Sequence, residues 1–303
     1  AALIAVPVIL GLLYGALQVV ARRDVGRRVA ALLAQGQTAL KEAQGKNAHV
    51  EQLRQRAFAL FDAKERDNAE ELWKQMLALS AQADSSYARS SRMLEAALAL
   101  DSSNAGVRWQ LAGALYERAL AAERENQTRQ RDDLLQRMAL YDSTGEKFRQ
   151  WNAPGHISIT SEPSQAAVTI EQYIQDDQQR WNPAQAQSFH PTPAEALSLP
   201  PGSYLLTLSA AGRQAVRYPF ILDRGEQLRI NVPLPEDGAV PKGLVYIPPG
   251  RFLLGSRSEE SLRRIFLNTV PAHQVTTQGY FIAKNETTFA DWIEFLRELP
   301  PQE

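Results

Sequence analysis

Residues 147–170 read KFRQWNAPGHISITSEPSQAAVTI, and the hydrophobic period changes inside this stretch at Pro154-Gly155. Beyond it Ile157 and Ile159 alternate with polar neighbours, and Val168 and Ile170 do the same. Alternation marks a strand with one buried face, whereas a spacing of three and four marks an amphipathic helix. The chain is therefore predicted to be helical before this point and strand-forming after it, a multidomain α+β protein. Its 303 residues allow two or three domains.

Further along, three more runs alternate: Tyr204, Leu206 and Leu208; Tyr218, Phe220 and Leu222; Leu228, Ile230 and Val232. Pro200-Pro201-Gly202, Ala211-Gly212 and Asp223-Arg224-Gly225 are turn signals between them. Five short strands over residues 151–235 predict a small antiparallel β-sandwich. Ser161 to Val168, followed by Thr192-Pro193, Leu197, Leu199, Pro201-Gly202 and Tyr204, resembles the PEGA family, a surface-associated bacterial β-module. The family's Pro-Glu-Gly-Ala is replaced by Pro163-Ser164-Gln165-Ala166, which puts its glycine turn in doubt. An insertion over residues 173–190 carries Trp181, Phe189 and His190. These could meet as a recognition patch, or form a loop covering the sandwich edge. A lone His without further ligands at metal spacing is no metal site.

Toward the N-terminus, residues 22–150 contain no proline and are rich in Ala, Leu, Glu, Gln and Arg. Apolar residues recur at helical spacing, as in Leu72, Met76 and Leu77, or Leu134, Met138 and Tyr141. Gly45-Lys46-Asn47, Asp84-Ser85-Ser86 and Asp101 to Asn104 read as helix breaks, with Ser103 or Asn104 as a cap. Leu94 to Leu100, Asp101 to Asn104, then Trp109, Leu111, Ala112, Leu115 and Tyr116 resemble tetratricopeptide helices. Ala112 stands where that family often has Gly, and Ser102 where it often has Pro. The resemblance implies a concave protein-binding array. A helical spacer is the alternative, and on both readings the Leu and aromatic stripes are core.

Residues 1–21 carry no charge and are followed by Arg22, Arg23, Arg27 and Arg28. About 20 apolar residues span a bilayer core of ~30 Å, so this stretch is expected to be a transmembrane helix contacting lipid. A signal peptide and a buried helix are the alternatives. The arginines by themselves would put the following residues in the cytoplasm. The first residue is Ala, which suggests a processed chain or a fragment.

At the other end, residues 236–303 open with a linker, Pro235 to Pro241. Gly243 to Ser256 then reads as strand, tight turn, strand, and Thr288 as the cap of a helix bearing Phe289, Trp292, Ile293 and Leu296. Val245 to Ser256, Pro271 to Val275 and Tyr280 to Phe295 resemble the opening of the formylglycine-generating enzyme (sulfatase-modifying factor) family, with Thr287 replacing Val. Catalysis in that family needs a cysteine pair with copper, and this chain has no cysteine. The related iron enzymes need several His ligands, so His273 and Glu286 are read as structural.

With 33 Lys and Arg against 34 Asp and Glu, the net charge of -1 excludes a strongly basic nucleic-acid binder. The absence of cysteine excludes disulfides and thiol chemistry. The adjacent acidic pairs Asp132-Asp133, Asp176-Asp177 and Glu259-Glu260 do not share a helix face. No catalytic, cofactor-binding or metal residue is assigned. The module order resembles the region after the kinase domain of myxobacterial-type transmembrane Ser/Thr protein kinases, although no kinase motif is present. That resemblance implies an inner-membrane, single-pass sensor or scaffold, periplasmic after residue 22, binding a protein or an envelope polymer. The alternatives are an anchored formylglycine-type oxidase, of whose domain residues 236–303 are a truncated start with the catalytic half expected beyond Glu303, and a structural envelope module.

Overall fold

The computed structural model describes the backbone of residues 2–300 and the side chains of residues 14–300. It divides into two compact units, Ala1–Trp151 and Asn152–Glu303. The first is helical: α1 (Ala2–Asp62), α2 (Arg66–Leu100), α3 (Ala105–Arg124), α4 (Thr128–Tyr141) and α5 (Glu146–Trp151).

Helices α1 and α2 form a long antiparallel hairpin, with Gly36 beside Ser90, Lys46 beside Ser86 and Arg54 beside Met76. Ala69, Met76, Ser80, Ala83, Tyr87, Ser90, Leu94 and Ala97 are buried along α2. On α1 the buried positions include Ala39, Ala43, Val50, Leu53 and Ala57. These positions follow the alternating three-and-four spacing of a coiled coil. Many are small, so the backbones approach closely: Ser90 Oγ donates to the Gly36 carbonyl at 2.8 Å. A Cβ added at Gly36 would lie 3.1 Å from Leu94 Cδ2. The substitution Ala43→Leu forces three extra carbons into this seam and is expected to destabilise the unit by about 1–3 kcal/mol. Denaturant unfolding followed by helical circular dichroism measures it.

This hairpin differs from the predicted array. A tetratricopeptide unit fits two helices into about 34 residues, whereas α1 alone has 61 and α2 has 35. Two expected breaks lie inside helices. Gly45 costs a helix only about 1 kcal/mol relative to Ala, less than its buried neighbours contribute. Asp84 has its carboxylate held by Arg118 at 2.7 Å and by Gln130 at 2.9 Å. Ser86 Oγ donates to the Gln82 carbonyl one turn back. The polar groups that favour turns are thus satisfied in helical geometry. Asp101 to Asn104 does end α2, and Asn104 caps α3 by accepting from the Val107 N–H at 3.1 Å. A second core then joins Leu94 and Leu98 of α2, Leu111 and Leu115 of α3, and Leu134 and Met138 of α4.

The expected transmembrane helix over residues 1–21 is corrected. Among the described residues no helix is long and apolar enough to cross a membrane. Side chains before Tyr14 lie outside the described residues. The part of the run whose side chains are described, residues 14–21, leads into Arg22. It also contains Gln18, which donates to the Tyr14 hydroxyl at 2.9 Å. The stretch continues into α1 and forms no separate element. The single-pass inner-membrane placement, with residues after 22 in the periplasm, rested on that helix and fails with it.

In the second unit, seven strands build two sheets: β1 (Gly155–Glu162), β2 (Ala167–Gln175), β3 (Trp181–Phe189), β4 (Ala194–Leu199), β5 (Gly202–Ser209), β6 (Val216–Leu222) and β7 (Gln227–Pro233). One sheet runs β4-β1-β7 and the other β3-β2-β5-β6. Ile157, Ile159, Ile230 and Val232 of the first sheet share a core with Val168, Ile170, Leu206, Leu208 and Phe220 of the second. The arrangement is not wholly antiparallel, because β1 pairs with β7 in parallel, Ile157 opposite Leu228. Alternation gives a strand's faces but not its direction relative to its neighbour. The expected insertion is β3, paired to β2 from Val168↔Phe189 to Gln175↔Trp181. Its composition, WNPAQAQSF, hides it: an edge strand with both faces largely exposed needs no apolar alternation.

The turn between β1 and β2 is tied to the start of β4. Ser161 and Thr192 share a 2.6 Å hydrogen bond, and the Ala166 N–H donates to Thr192 Oγ1 at 3.0 Å. Gln165 takes φ 67°, the left-handed conformation that glycine adopts most easily.

Candidate functional site

Beyond the sandwich come β8 (Leu244–Ile247), β9 (Gly250–Leu254), a π-helix (Leu262–Phe266), β10 (His273–Thr277), β11 (Tyr280–Ala283) and α6 (Phe289–Glu298). The expected β8–β9 hairpin is not formed. β8 pairs with β11, Val245 opposite Ile282, and β9 pairs with β10, Phe252 opposite Val275. Pro248 and Pro249 join β8 to β9, and each strand finds its partner further along the chain.

This segment is fixed to the sandwich at β8 and β9. Arg251 donates to Glu226 at 2.6 Å and to the Ile221 carbonyl at 2.7 Å. Tyr246 packs against the sandwich core. Gly250 lies against the Tyr218 ring, where an added Cβ would collide. Burial by itself pushes the Glu226 carboxyl up. The Arg251 hydrogen bond, the Asp223 N–H and the Arg251 charge outweigh it and hold the group below its ordinary 4.5. A carboxyl lowered on folding stabilises above its unfolded value, and that contribution is lost as pH falls through the folded value. Stability of the second unit should therefore drop from about pH 4.5 downward, and less steeply in Glu226→Gln. Urea midpoints measured across this range check it.

Away from that attachment the segment is apolar and open. Helix α6 has no buried residue, yet it carries Phe289, Trp292, Ile293, Phe295 and Leu296. Phe289 is 89% exposed and the other four about half exposed. Positions 289, 292, 293 and 296 have the spacing of one helix face. The helix is firmly started by a reciprocal box, in which Thr288 Oγ1 accepts from the Asp291 N–H and Asp291 accepts from the Thr288 N–H at 2.8 Å. Tyr280, Phe281 and Ile282 on β11 and Phe252, Leu253 and Leu254 on β9 are also exposed. Monomeric surfaces rarely gather this many large apolar side chains in one short segment.

The residues singled out in the sequence are dispersed. Trp181 and Phe189 stand at opposite ends of β3, about 26 Å of strand apart, so they do not meet. Trp181 is 63% exposed, while Phe189 packs on the sandwich core. His190 is exposed, with Nδ1 3.1 Å from the Pro191 carbonyl. His273 is buried with Nδ1 2.8 Å from the Pro271 carbonyl, and Glu286 lies exposed. Asp132 pairs with Arg131, and Asp176 caps its own hairpin turn by accepting from the Gln178 and Arg180 N–H groups. Arg263, in the π-helix, is fully buried and donates to Glu260 at 2.8 Å and to the Thr269 carbonyl at 2.8 Å. Sequence reading missed Arg263, since an Arg amid exposed neighbours carries no burial signal.

Among the described residues no three His, Cys, Asp or Glu side chains gather where they could hold a metal ion. A shallow concavity on α1 is lined only by residues between Ala48 and Arg56 of that one helix, and so is a surface furrow. No family model, curated protein or solved structure matches the chain. The tetratricopeptide, PEGA, formylglycine-enzyme and kinase resemblances therefore rest on the quoted residues alone.

Proposed function

We propose that this chain is a protein-binding scaffold whose second unit docks another polypeptide surface on residues 244–298. The observation carrying this reading is α6: a well-capped amphipathic helix with its apolar face in solvent. Covering Phe289 gains about 1.5–3 kcal/mol, and covering the half-exposed Trp292, Ile293 and Leu296 about half as much each, so burial of this face is favoured. Aromatic side chains dominate such contacts because they bury large areas with few rotatable bonds. The attachment through Arg251 and Glu226 supports the reading, since it holds β8 and β9 on a preformed β-sandwich. The reading keeps the binding role implied by the sequence resemblances and omits the membrane anchor.

The full chain tests it through the dye anilinonaphthalene sulfonate and sedimentation velocity. Dye binding and concentration-dependent association are expected for the unmodified chain. Both should fall sharply in the double variant Trp292→Glu, Phe295→Glu, with the β-sandwich still folded. An unmodified chain that binds no dye and stays monomeric would contradict the proposal.

A further inference from the structure

The helical unit contains an aromatic recess already filled by one of its own side chains. Trp109, Gly113 and Tyr116 of α3 lie at helical spacing on one face. The aromatic stripe was expected to be core, yet Trp109 is 54% exposed. The amino group of Lys147, on α5, sits 5.6 Å from the Trp109 ring centroid and 5.6 Å from that of Tyr116. Both distances are within the ~6 Å reach of a cation–π contact. Trp151 adds a third ring, meeting Tyr116 edge-on at 6.2 Å. Gly113 leaves the floor open: the atom nearest to a Cβ placed there is Lys147 Cε, at 4.0 Å.

Polar groups complete the recess. Gln150 Oε1 accepts from Lys147 Nζ at 3.0 Å, and Glu146 Oε1 lies 3.5 Å from the same nitrogen. The Trp109 indole N–H donates to Glu146 Oε2 at 3.4 Å, which ties the carboxylate to the ring. Two ring faces, a carboxylate and an amide oxygen thus surround one amine, whose side chain is only 14% exposed.

We infer that this recess is a recognition site for an alkylammonium group, with Lys147 as an occupant supplied by the chain itself. Helix α5 is six residues long with no buried residue; besides these contacts it is held by the Phe148 N–H donating to Asp142 at 2.8 Å and by Trp151 against the helical core. Elements with few buried contacts open at low free-energy cost. A primary amine is compact and strongly hydrated. A quaternary ammonium spreads its charge over methyl groups, loses less hydration and is well suited to ring faces. It therefore displaces Lys147, at an apparent affinity reduced by the fraction of molecules in which the recess is filled.

The test titrates the full chain with choline chloride and with a short peptide containing trimethyllysine, followed by calorimetry. Lys147→Ala should bind both probes about tenfold or more tightly than the unmodified chain, because the recess is already open. Adding Trp109→Ala should abolish the gain. A peptide much tighter than choline identifies a polypeptide side chain as the source of the group, and equal affinity identifies a free alkylammonium; either ranking supports the site. A folded Lys147→Ala chain that binds neither probe more tightly overturns it, leaving Lys147 as a clasp for α5. Should that variant not fold, nuclear magnetic resonance of the unmodified chain decides. Choline should abolish the ring-current shift of the Lys147 ε-methylene, and an unmoved signal at saturating choline overturns the inference.

Discussion

Replacing Leu206 by Ala is expected to destabilise the second unit by about 2–5 kcal/mol. Leu206 lies on β5, a central strand of its sheet, paired to Ile170 on one side and Tyr218 on the other. It is fully buried in the core shared by both sheets. Removing three carbons there loses their transfer free energy and leaves a cavity that two hydrogen-bonded neighbours prevent from collapsing. A domain's whole stability is about 5–15 kcal/mol, so a substantial fraction disappears. Trp181 and Trp292 lie in this unit, and denaturant unfolding followed by tryptophan fluorescence measures the shift. A loss under 1 kcal/mol would mean that the sheets are not packed as described.

Leu115→Ala should have a comparable effect on the helical unit, again about 2–5 kcal/mol. Leu115 is fully buried on α3, in the core that α3 shares with α2 and α4. Asn104→Ala provides a control of the same helix by a different mechanism. It removes the side chain that accepts from the Val107 N–H and is expected to cost about 1 kcal/mol. Helical circular dichroism during denaturation should resolve both, with Leu115→Ala the larger. A reversed order would place α3 at the surface.

The parts of the fold that were legible in the sequence are those written in local spacing. The change of period at Pro154-Gly155 separates α5 from β1, because alternation and helical spacing are properties of neighbouring residues. The caps at Asn104 and Thr288 are local for the same reason. What escaped depends on contacts between distant residues. Asp84 reads as a breaker until Arg118, 34 residues away, takes its carboxylate. The parallel pairing of β1 with β7 joins residues 71 apart, such as His156 and Gln227. Strand β3 has no apolar alternation because neither face is deeply buried.

The apolar start of the chain shows the opposite failure. Residues 1–21 read as a membrane span on their lack of charge and their hydropathy alone. In the structure the stretch belongs to α1, and among the described residues no helix is long and apolar enough to cross a membrane. The candidate interface was half visible. The face of α6 was read correctly as a stripe, but a stripe does not say whether it is covered within the unit or left open. The recess around Lys147 was invisible, since Trp109, Tyr116 and Lys147 meet only when α5 folds back on α3.

The central claim is that another polypeptide surface covers α6. Site-specific photocrosslinking in the cells that make this protein tests it most directly, with a benzophenone amino acid in place of Trp292. A control carries the same group at Gln75, exposed on α2. Discrete polypeptide crosslinks from position 292 and none from position 75 are predicted. Equal, diffuse labelling from both positions, or none from position 292, would contradict the account.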